Sequence, residues 1–177
     1  AGVVRLDVLL GSGAMALPEG LRRLQAHLPQ CRLITVTAHR RENWGPGIRH
    51  IAGAVGRLLL QYDNLAVAWP VNGNPAVREI VHNELGARAE RLDGRLCLCP
   101  PLDYPALLWC LQHSALALTD SGGIQEEGAA LSRPVLVLRE TTERPELIEA
   151  GAGLIVGTDM QRIVGAVTRL LGEGTEL

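Results

Sequence analysis

Lysine and phenylalanine are absent from this sequence, and aromatic residues make up only 3% of it. All 17 basic residues are therefore arginines, and the formal net charge is −2. A chain with this charge lacks the basic surface with which nucleic-acid-binding proteins contact phosphates, so we expect no nucleic-acid partner. Because aromatic side chains are so scarce, we expect the hydrophobic core to be aliphatic.

Long apolar runs are missing as well. No stretch approaches the roughly 20 apolar residues that a membrane-spanning helix needs, and the first residues lack the pattern of a secretory leader. The four cysteines show no C-x-x-C pair and no histidine spacing that would indicate zinc. We therefore expect free thiols, a cytoplasmic location, no metal, no cofactor and no membrane partner.

The sequence does contain a regular alternation of strand-like and helix-like segments, and its 177 residues suit a single domain, 1–177. Strands are predicted at 33–37, 65–69, 96–99, 115–119, 134–138 and 154–156. Helices are predicted at 3–10 and 18–27, from Pro46, from Pro75 with Asn74 as its cap, up to His113, at 124–131, up to Gly151, and at 159–171. Such an alternation predicts an α/β fold, a parallel sheet with helices on both faces.

Polar loops follow four of the predicted strands. They are 39–43, 72–74, 121–127 and 139–146. In open parallel sheets, ligands bind beyond the carboxyl ends of the strands. We therefore expect binding chemistry to be concentrated at one edge of the sheet.

The segment 121–127 has the strongest binding signal. A strand, a Ser-Gly-Gly turn and a helix follow one another, which places free backbone N–H groups at a helix N-terminus, a favourable site for phosphate. Ser121 adds a hydroxyl, Gly122 and Gly123 permit close approach, and Glu127 lies one turn further on, at a distance suited to sugar hydroxyls. The alternative is an ordinary turn with a solvated acidic helix start.

Other candidates are individually weaker. The loop 39–43 combines one histidine, two arginines and a carboxylate, which suits a diphosphate, and His39 has a pKa range suited to assisting a departing phosphate. The alternative is a solvated loop with an Arg–Glu pair of its own. Arg144 is either a phosphate ligand or a partner of Glu143 or Glu146. Tyr104 and Leu107 either enclose a base or belong to the core.

Taken together, five motifs resemble bacterial UDP-N-acetylglucosamine 2-epimerases of the non-hydrolysing family. They are TAHRREN at 37–43, WPVNGNP at 69–75, PLDY at 101–104, TDSGGIQEE at 119–127 and TERPE at 142–146. The resemblance implies one Rossmann-like half of a glycosyltransferase-B-like two-domain fold. It also implies that this chain is the second domain, and that the first domain, which carries the acid and base carboxylates, is absent from it.

The resemblance further implies roles for individual residues. UDP would be held by Ser121, Gly122, Gly123, Glu127, Arg144 and Leu107, with His39 as the catalytic histidine. Arg40, Glu42 and Asn72 match a second, allosteric site for UDP-N-acetylglucosamine. Asn72 stands where the family usually has histidine, so we expect weaker regulation by that site.

The implied activity is the interconversion of UDP-N-acetylglucosamine and UDP-N-acetylmannosamine by elimination and re-addition of UDP. The expected partners are UDP, a UDP-N-acetylhexosamine and the missing first domain, with a homodimeric parent protein. The isolated chain is expected to be inactive. Two alternatives stay open: the nucleotide-binding half of a glycosyltransferase, and a UDP-binding module without catalysis.

Overall fold

The computed structural model of this chain describes residues 16–172, so the helix predicted at 3–10 lies outside them. The strands are β1 (Arg32–Thr37), β2 (Leu65–Pro70), β3 (Leu96–Cys99), β4 (Ser114–Thr119), β5 (Val135–Val137) and β6 (Gly153–Ile155). The helices are α1 (Glu19–Gln25), α2 (Pro46–Gln61), α3 (Pro75–Arg91), α4 (Tyr104–His113), α5 (Gly122–Ala130), α6 (Pro145–Glu149) and α7 (Met160–Gly172). A single 3₁₀ turn, Arg41–Asn43, precedes α2 in this part of the chain.

The described strands form one six-stranded sheet in the order β3-β2-β1-β4-β5-β6. Each neighbouring pair is parallel. The predicted α/β fold is thus confirmed. The chain moves outward from β1 to β3, returns to the centre at β4, and then moves outward on the other side. The strand order therefore reverses between β1 and β4, and such a reversal opens a crevice at the carboxyl ends of these two strands.

Helices cover both faces of the sheet because successive strand residues point to opposite sides. In β1, Leu33 belongs to one apolar cluster and Ile34 to the other. Helices α2, α3 and α7 pack on the Ile34 face, while α1, α4 and α5 pack on the opposite face. Trp69 of β2 is the largest fully buried side chain. The rest of the core is mostly aliphatic, as the composition predicts.

The boundaries of two helices differ from prediction, and one of these differences bears on the site. Helix α5 begins at Gly122 rather than Ile124, so both glycines lie inside its first turn instead of before it. Helix α6 ends at Glu149, two residues before Gly151. Gly151 has a φ of 74°, a conformation that glycine adopts without steric cost, and the N–H groups of residues 151 and 152 bond back to the last turn.

Side-chain caps fix the starts of α3, α4 and α5 beside the site, and Asp159 caps α7 in the same way. Asn74 and Asp103 accept the N–H groups of Ala76 and Ala106, each at 2.9 Å. The predicted cap at Asn74 is therefore confirmed. Ser121 accepts the N–H of Ile124 at 3.5 Å, which is a longer contact.

The four cysteines are all free, and two of them, Cys97 and Cys110, are buried. Among residues 16–172, no helix combines the length and apolarity needed to cross a membrane. No group of three potential metal ligands occurs in that range either.

Candidate functional site

A cleft of about 300 Å³ lies at the carboxyl ends of the central strands, where the strand order reverses. Its walls come from the carboxyl ends of β1, β2 and β4 and from the segment that precedes α4. The lining residues are Thr37, Ala38, His39, Pro70, Asn72, Gly73, Pro101, Leu102, Leu107, Ser121 and Ile124. Four of the predicted site residues, His39, Asn72, Leu107 and Ser121, therefore line one cleft.

The other predicted site residues are not in this lining set. Gly122 and Gly123 follow Ser121 directly as the first residues of α5, where backbone N–H groups have no acceptor within the helix. Glu127 lies one turn beyond Gly123 on the same helix. The remaining three, Arg40, Glu42 and Arg144, form ion pairs beside the cleft.

His39 is held by a buried carboxylate. Its Nδ1 lies 3.1 Å from Oδ1 of Asp120, whose side chain is fully buried while that of His39 is 50% exposed. The hydrogen bond to Asp120 raises the pKa of His39 above its ordinary value, although partial burial and nearby Arg40 act in the opposite direction. The imidazole therefore keeps its proton to a higher pH than a free histidine would.

Asp120 stays ionised despite its burial. Burial by itself would raise the pKa of Asp120, but hydrogen bonds from the His39 side chain and from the backbone N–H groups of Arg40 and His39 lower it overall. Asn43 also donates to Asp120, at 2.9 Å, and to the carbonyl of Leu138, at 3.0 Å. The Asp120 carboxylate thus ties the loop after β1 to the end of β4, and the Asn43 amide links both to the end of β5.

Glu127 has an unsatisfied oxygen. Its Oε2 is buried and has no hydrogen-bond partner among the described residues. Burial raises the pKa of Glu127, while the neighbouring Tyr104 hydroxyl acts in the opposite direction and Glu126 reinforces the rise. Since an unpaired buried carboxylate oxygen is costly, it is a strong acceptor for a hydroxyl group that reaches it.

The two charged loops beside the cleft are joined by a four-residue ion-pair network. Arg40 and Arg139 both donate to Glu143 at 3.0 Å, and Arg139 also donates to Glu42 at 2.7 Å. The two arginines hold the pKa of Glu143 below its usual value. Arg40 and Glu42 thus pair with residues of the 139–146 loop. The alternative considered from the sequence, an Arg–Glu pair within the 39–43 loop, does not form.

Arg144 has a different partner from those the sequence offered. Its guanidinium forms an ion pair with Glu126, on the exposed side of α5, rather than with the carboxylate of Glu143 or Glu146. Its Nη1 also donates to the backbone carbonyl of Glu143 at 3.1 Å. Its backbone N–H donates to Thr142 Oγ1 at 3.0 Å. A phosphate that binds Arg144 would have to compete with Glu126.

Asn72 combines a place in the cleft with a structural hydrogen bond. Its Oδ1 accepts the backbone N–H of Asn74 at 2.8 Å. The carbonyl oxygen is occupied by this turn, so the NH₂ group is what Asn72 can offer to a ligand.

Sequence reasoning assigned no role to Asp120, Asn43 or Arg139. Asp120 stood inside the recognised motif, but nothing in its neighbours along the chain showed that four donors from another loop converge on it. One signal was present: a carboxylate that directly follows a buried strand is placed at the functional edge of a parallel sheet.

These features define a Rossmann-like class of α/β domain, with its cleft at the point where the strand order reverses. The model of the family described as "UDP-N-acetylglucosamine 2-epimerase" matches residues 1–177. The chain belongs to this family.

Among curated relatives, the UDP-N-acetylglucosamine 2-epimerase of Escherichia coli K12 is 45% identical over 148 residues. That match covers 84% of this chain and 38% of the relative. A solved structure described as an S. aureus MnaA–UDP co-structure is 40% identical, with a TM-score of 0.78, covering 84% of this chain and 39% of that one. The chain thus spans about two fifths of the length of these relatives.

A more distant likeness concerns the fold only. The α,α-trehalose-phosphate synthase (UDP-forming) of Burkholderia vietnamiensis has a TM-score of 0.68 over 87% of this chain and 40% of its own, at 14% identity. Trehalose-phosphate synthases have the glycosyltransferase-B architecture, and the likeness shows that this chain has the fold of one domain of it. The predicted Rossmann-like, glycosyltransferase-B-like domain is therefore confirmed as a fold class.

Proposed function

We propose that this chain is the UDP-binding half of a UDP-N-acetylglucosamine 2-epimerase. The observation that carries the proposal is the meeting of His39 and Ser121 in one cleft at the reversal of the strand order, in a chain that belongs to this family. The other half of the enzyme would be a first domain, which supplies the acid and base carboxylates.

In this proposal the N-terminus of α5 binds the diphosphate. The first-turn N–H groups of Gly122 and Gly123 and the hydroxyl of Ser121 face the anion, and the helix dipole favours its charge. The unsatisfied Oε2 of Glu127 accepts a ribose hydroxyl. Leu107, which lines the cleft, packs against the base, and Arg144 contacts phosphate after releasing Glu126.

The reaction proceeds in two halves. The bond between C1 and the β-phosphate oxygen breaks, and its electron pair leaves with UDP. A carboxylate of the first domain removes the C2 proton, so that a C1–C2 double bond forms. Reprotonation at C2 on the opposite face and re-addition of UDP at C1 then give the epimer.

His39 acts on the departing UDP. Its imidazole, held by Asp120 at 3.1 Å with a raised pKa, donates a hydrogen bond to the phosphate oxygen on which negative charge develops. Such a contact is stronger in the transition state than in the bound substrate, because the charge grows as the bond breaks.

Regulation belongs to the same proposal. Arg40, Glu42 and Asn72 form part of a second site for UDP-N-acetylglucosamine, which would have to compete with the Glu143 and Arg139 ion pairs. The neutral amide of Asn72 attracts a diphosphate less than a cationic imidazole would. We expect the parent enzyme to depend less on this site than relatives that have histidine there.

The proposal is tested by proton exchange at C2 of the substrate. The parent protein, meaning the longer polypeptide to which we propose this chain belongs, is incubated with UDP-N-acetylglucosamine in heavy water. NMR should show deuterium at C2 and the appearance of UDP-N-acetylmannosamine. The 177-residue chain should show neither, because a positioned proton-transfer group contributes roughly 10²–10⁴-fold to rate.

Two results would contradict the proposal. Robust exchange by the 177-residue chain would show that the acid and base reside within it. Sugar transfer to an acceptor by the parent protein, without exchange at C2, would instead support the glycosyltransferase alternative.

A further inference from the structure

The Asp120 carboxylate accepts more hydrogen bonds than are needed to hold the loop that follows β1. Its side chain is fully buried at the end of β4. It accepts the backbone N–H of His39 at 3.0 Å, the backbone N–H of Arg40 at 2.9 Å and the Asn43 amide at 2.9 Å. These three donors already fix the loop after β1. The fourth contact, from the His39 ring, concerns the orientation of a side chain that lines the cleft.

The ring contact selects one nitrogen of the imidazole. An ionised carboxylate only accepts hydrogen bonds, so His39 Nδ1 must carry a proton to bond to Asp120. In the neutral ring this places the proton on Nδ1 and leaves Nε2 as an acceptor, while in the charged ring Nε2–H is a donor. In either form, Nε2 is the nitrogen that remains available to a ligand.

We propose that Asp120 is the positioning residue of His39, fixing its ring through Nδ1 so that Nε2 is the atom offered to the departing diphosphate. The inference rests on the proposed function of the cleft for its chemical consequence. The pairing itself is a property of this chain and can be measured without substrate. Asp120 acts through His39 and does not touch the substrate.

Within residues 16–172, two charged groups act on the His39 ring, and they act in opposite directions. Asp120, from the end of β4, favours the charged imidazole, and Arg40, from the same loop as His39, disfavours it. Arg40 is itself paired with Glu143 at 3.0 Å, and its Nε donates to the backbone carbonyl of Asp120 at 3.1 Å. Asp120 is the main cause of the raised pKa of His39, so its removal should make the ring lose its proton at a lower pH.

The first experiment uses the unmodified chain. Long-range ¹H–¹⁵N NMR of the imidazole nitrogens, recorded across a pH titration, reports which nitrogen carries the proton and the pKa of the ring. We expect the neutral ring of His39 to carry its proton on Nδ1. A neutral ring protonated on Nε2 would overturn the inference, whatever the behaviour of any variant.

The second experiment compares Asp120→Asn with Asp159→Asn. Asp159 is a matched control, because its Oδ1 accepts a backbone N–H, that of Arg162 at 2.8 Å, at an exposed helix start. In the 177-residue chain, only Asp120→Asn should lower the pKa of His39. Circular dichroism establishes that both variants are folded. An unchanged pKa and tautomer in a folded Asp120→Asn variant would contradict the inference.

The kinetic test uses the parent protein. Asp120→Asn should lower kcat about ten-fold or more, a part of the roughly 10²–10⁴-fold that a positioned proton donor contributes, with KM little changed. Activity that needs protonated His39 is lost as pH rises through its pKa, so the alkaline limb of the profile should move to lower pH. Asp159→Asn should change neither quantity.

The outcomes separate the inference from the proposed function. If the parent protein does not epimerise, the proposed function fails, while the NMR result on His39 still decides the pairing. If it epimerises and Asp120→Asn leaves both kcat and the alkaline limb unchanged, the positioning role fails and the proposed function stands.

Discussion

At the scale of single residues, the site shows which charges are already satisfied and which are free to bind a ligand. Arg40, Glu42 and Arg144 are all paired with other side chains. Glu127, in contrast, has a buried oxygen without a partner among the described residues. Burying such an oxygen costs roughly 1–3 kcal/mol, and a ligand hydroxyl that reaches it recovers this cost.

This difference leads to a prediction for Glu127. Glu127→Gln keeps the size of the side chain and removes its charge, and hydrogen bonds to charged groups are worth roughly 1.5–3 kcal/mol. Calorimetric titration of UDP into the chain should then show binding weakened about ten-fold or more. Glu79→Gln, on the exposed surface of α3, serves as control and should bind as the unmodified chain does. If the unmodified chain, Glu127→Gln and Glu79→Gln all bind UDP with equal affinity, the proposed hydrogen bond between Glu127 and the ribose is refuted.

At the scale of elements, the helix starts differ in how fully their first N–H groups are satisfied. Each of α3, α4 and α5 begins at a capping side chain, but the caps are not equivalent. Asn74 and Asp103 accept at 2.9 Å, whereas Ser121 accepts at 3.5 Å. A long cap leaves the first N–H groups of α5 less fully satisfied, which suits a helix start that we propose to bind an anion.

The cap of α3 provides a stability prediction. Asn74→Ala removes the acceptor for the N–H of Ala76 and should lower the free energy of unfolding by about 1 kcal/mol. Asn74→Asp keeps an acceptor and should restore most of this loss. Asn83→Ala, at an exposed interior position of the same helix, should be neutral or slightly stabilising, because alanine is the better helix former there. Urea unfolding measures all three, and equal losses in the two alanine variants would contradict the capping role.

At the scale of the whole molecule, two apolar layers share one sheet. Trp69 is buried in the layer covered by α2, α3 and α7, and Trp109 in the layer covered by α1 and α4. The strands that separate the layers contribute side chains to both, so neither layer can lose its packing while the sheet stays intact. We therefore expect residues 16–172 to unfold in one cooperative step.

Single-tryptophan variants test this cooperativity. Trp44→Phe combined with Trp109→Phe leaves Trp69 as the reporter, and Trp44→Phe combined with Trp69→Phe leaves Trp109. In each variant the urea midpoint from fluorescence should equal that from far-ultraviolet circular dichroism. A fluorescence midpoint that falls clearly below the dichroism midpoint in either variant would show that its layer unfolds separately.

The sequence by itself determined the order and type of the elements. Local hydrophobic periodicity, prolines at helix starts and the Asn74 cap specify strands and helices, since these signals act over a few neighbouring residues. The motifs near His39 and Ser121 were also readable, because parallel strands bring their carboxyl ends to one edge. The resemblance then supplied the family, which the comparison over residues 1–177 confirms.

The tertiary structure alone decided which side chains meet. Asp120 contacts His39 across 81 positions of sequence, and Arg40 contacts Glu143 across 103. Arg144 forms its ion pair with Glu126 rather than with Glu143 or Glu146, which are closer along the chain. Such pairings depend on the strand order β1-β4-β5, which places three loops side by side. Hydrophobic periodicity fixes the face on which a residue lies, but it carries no information about which loops become neighbours, and the charge pairs follow from that neighbourhood.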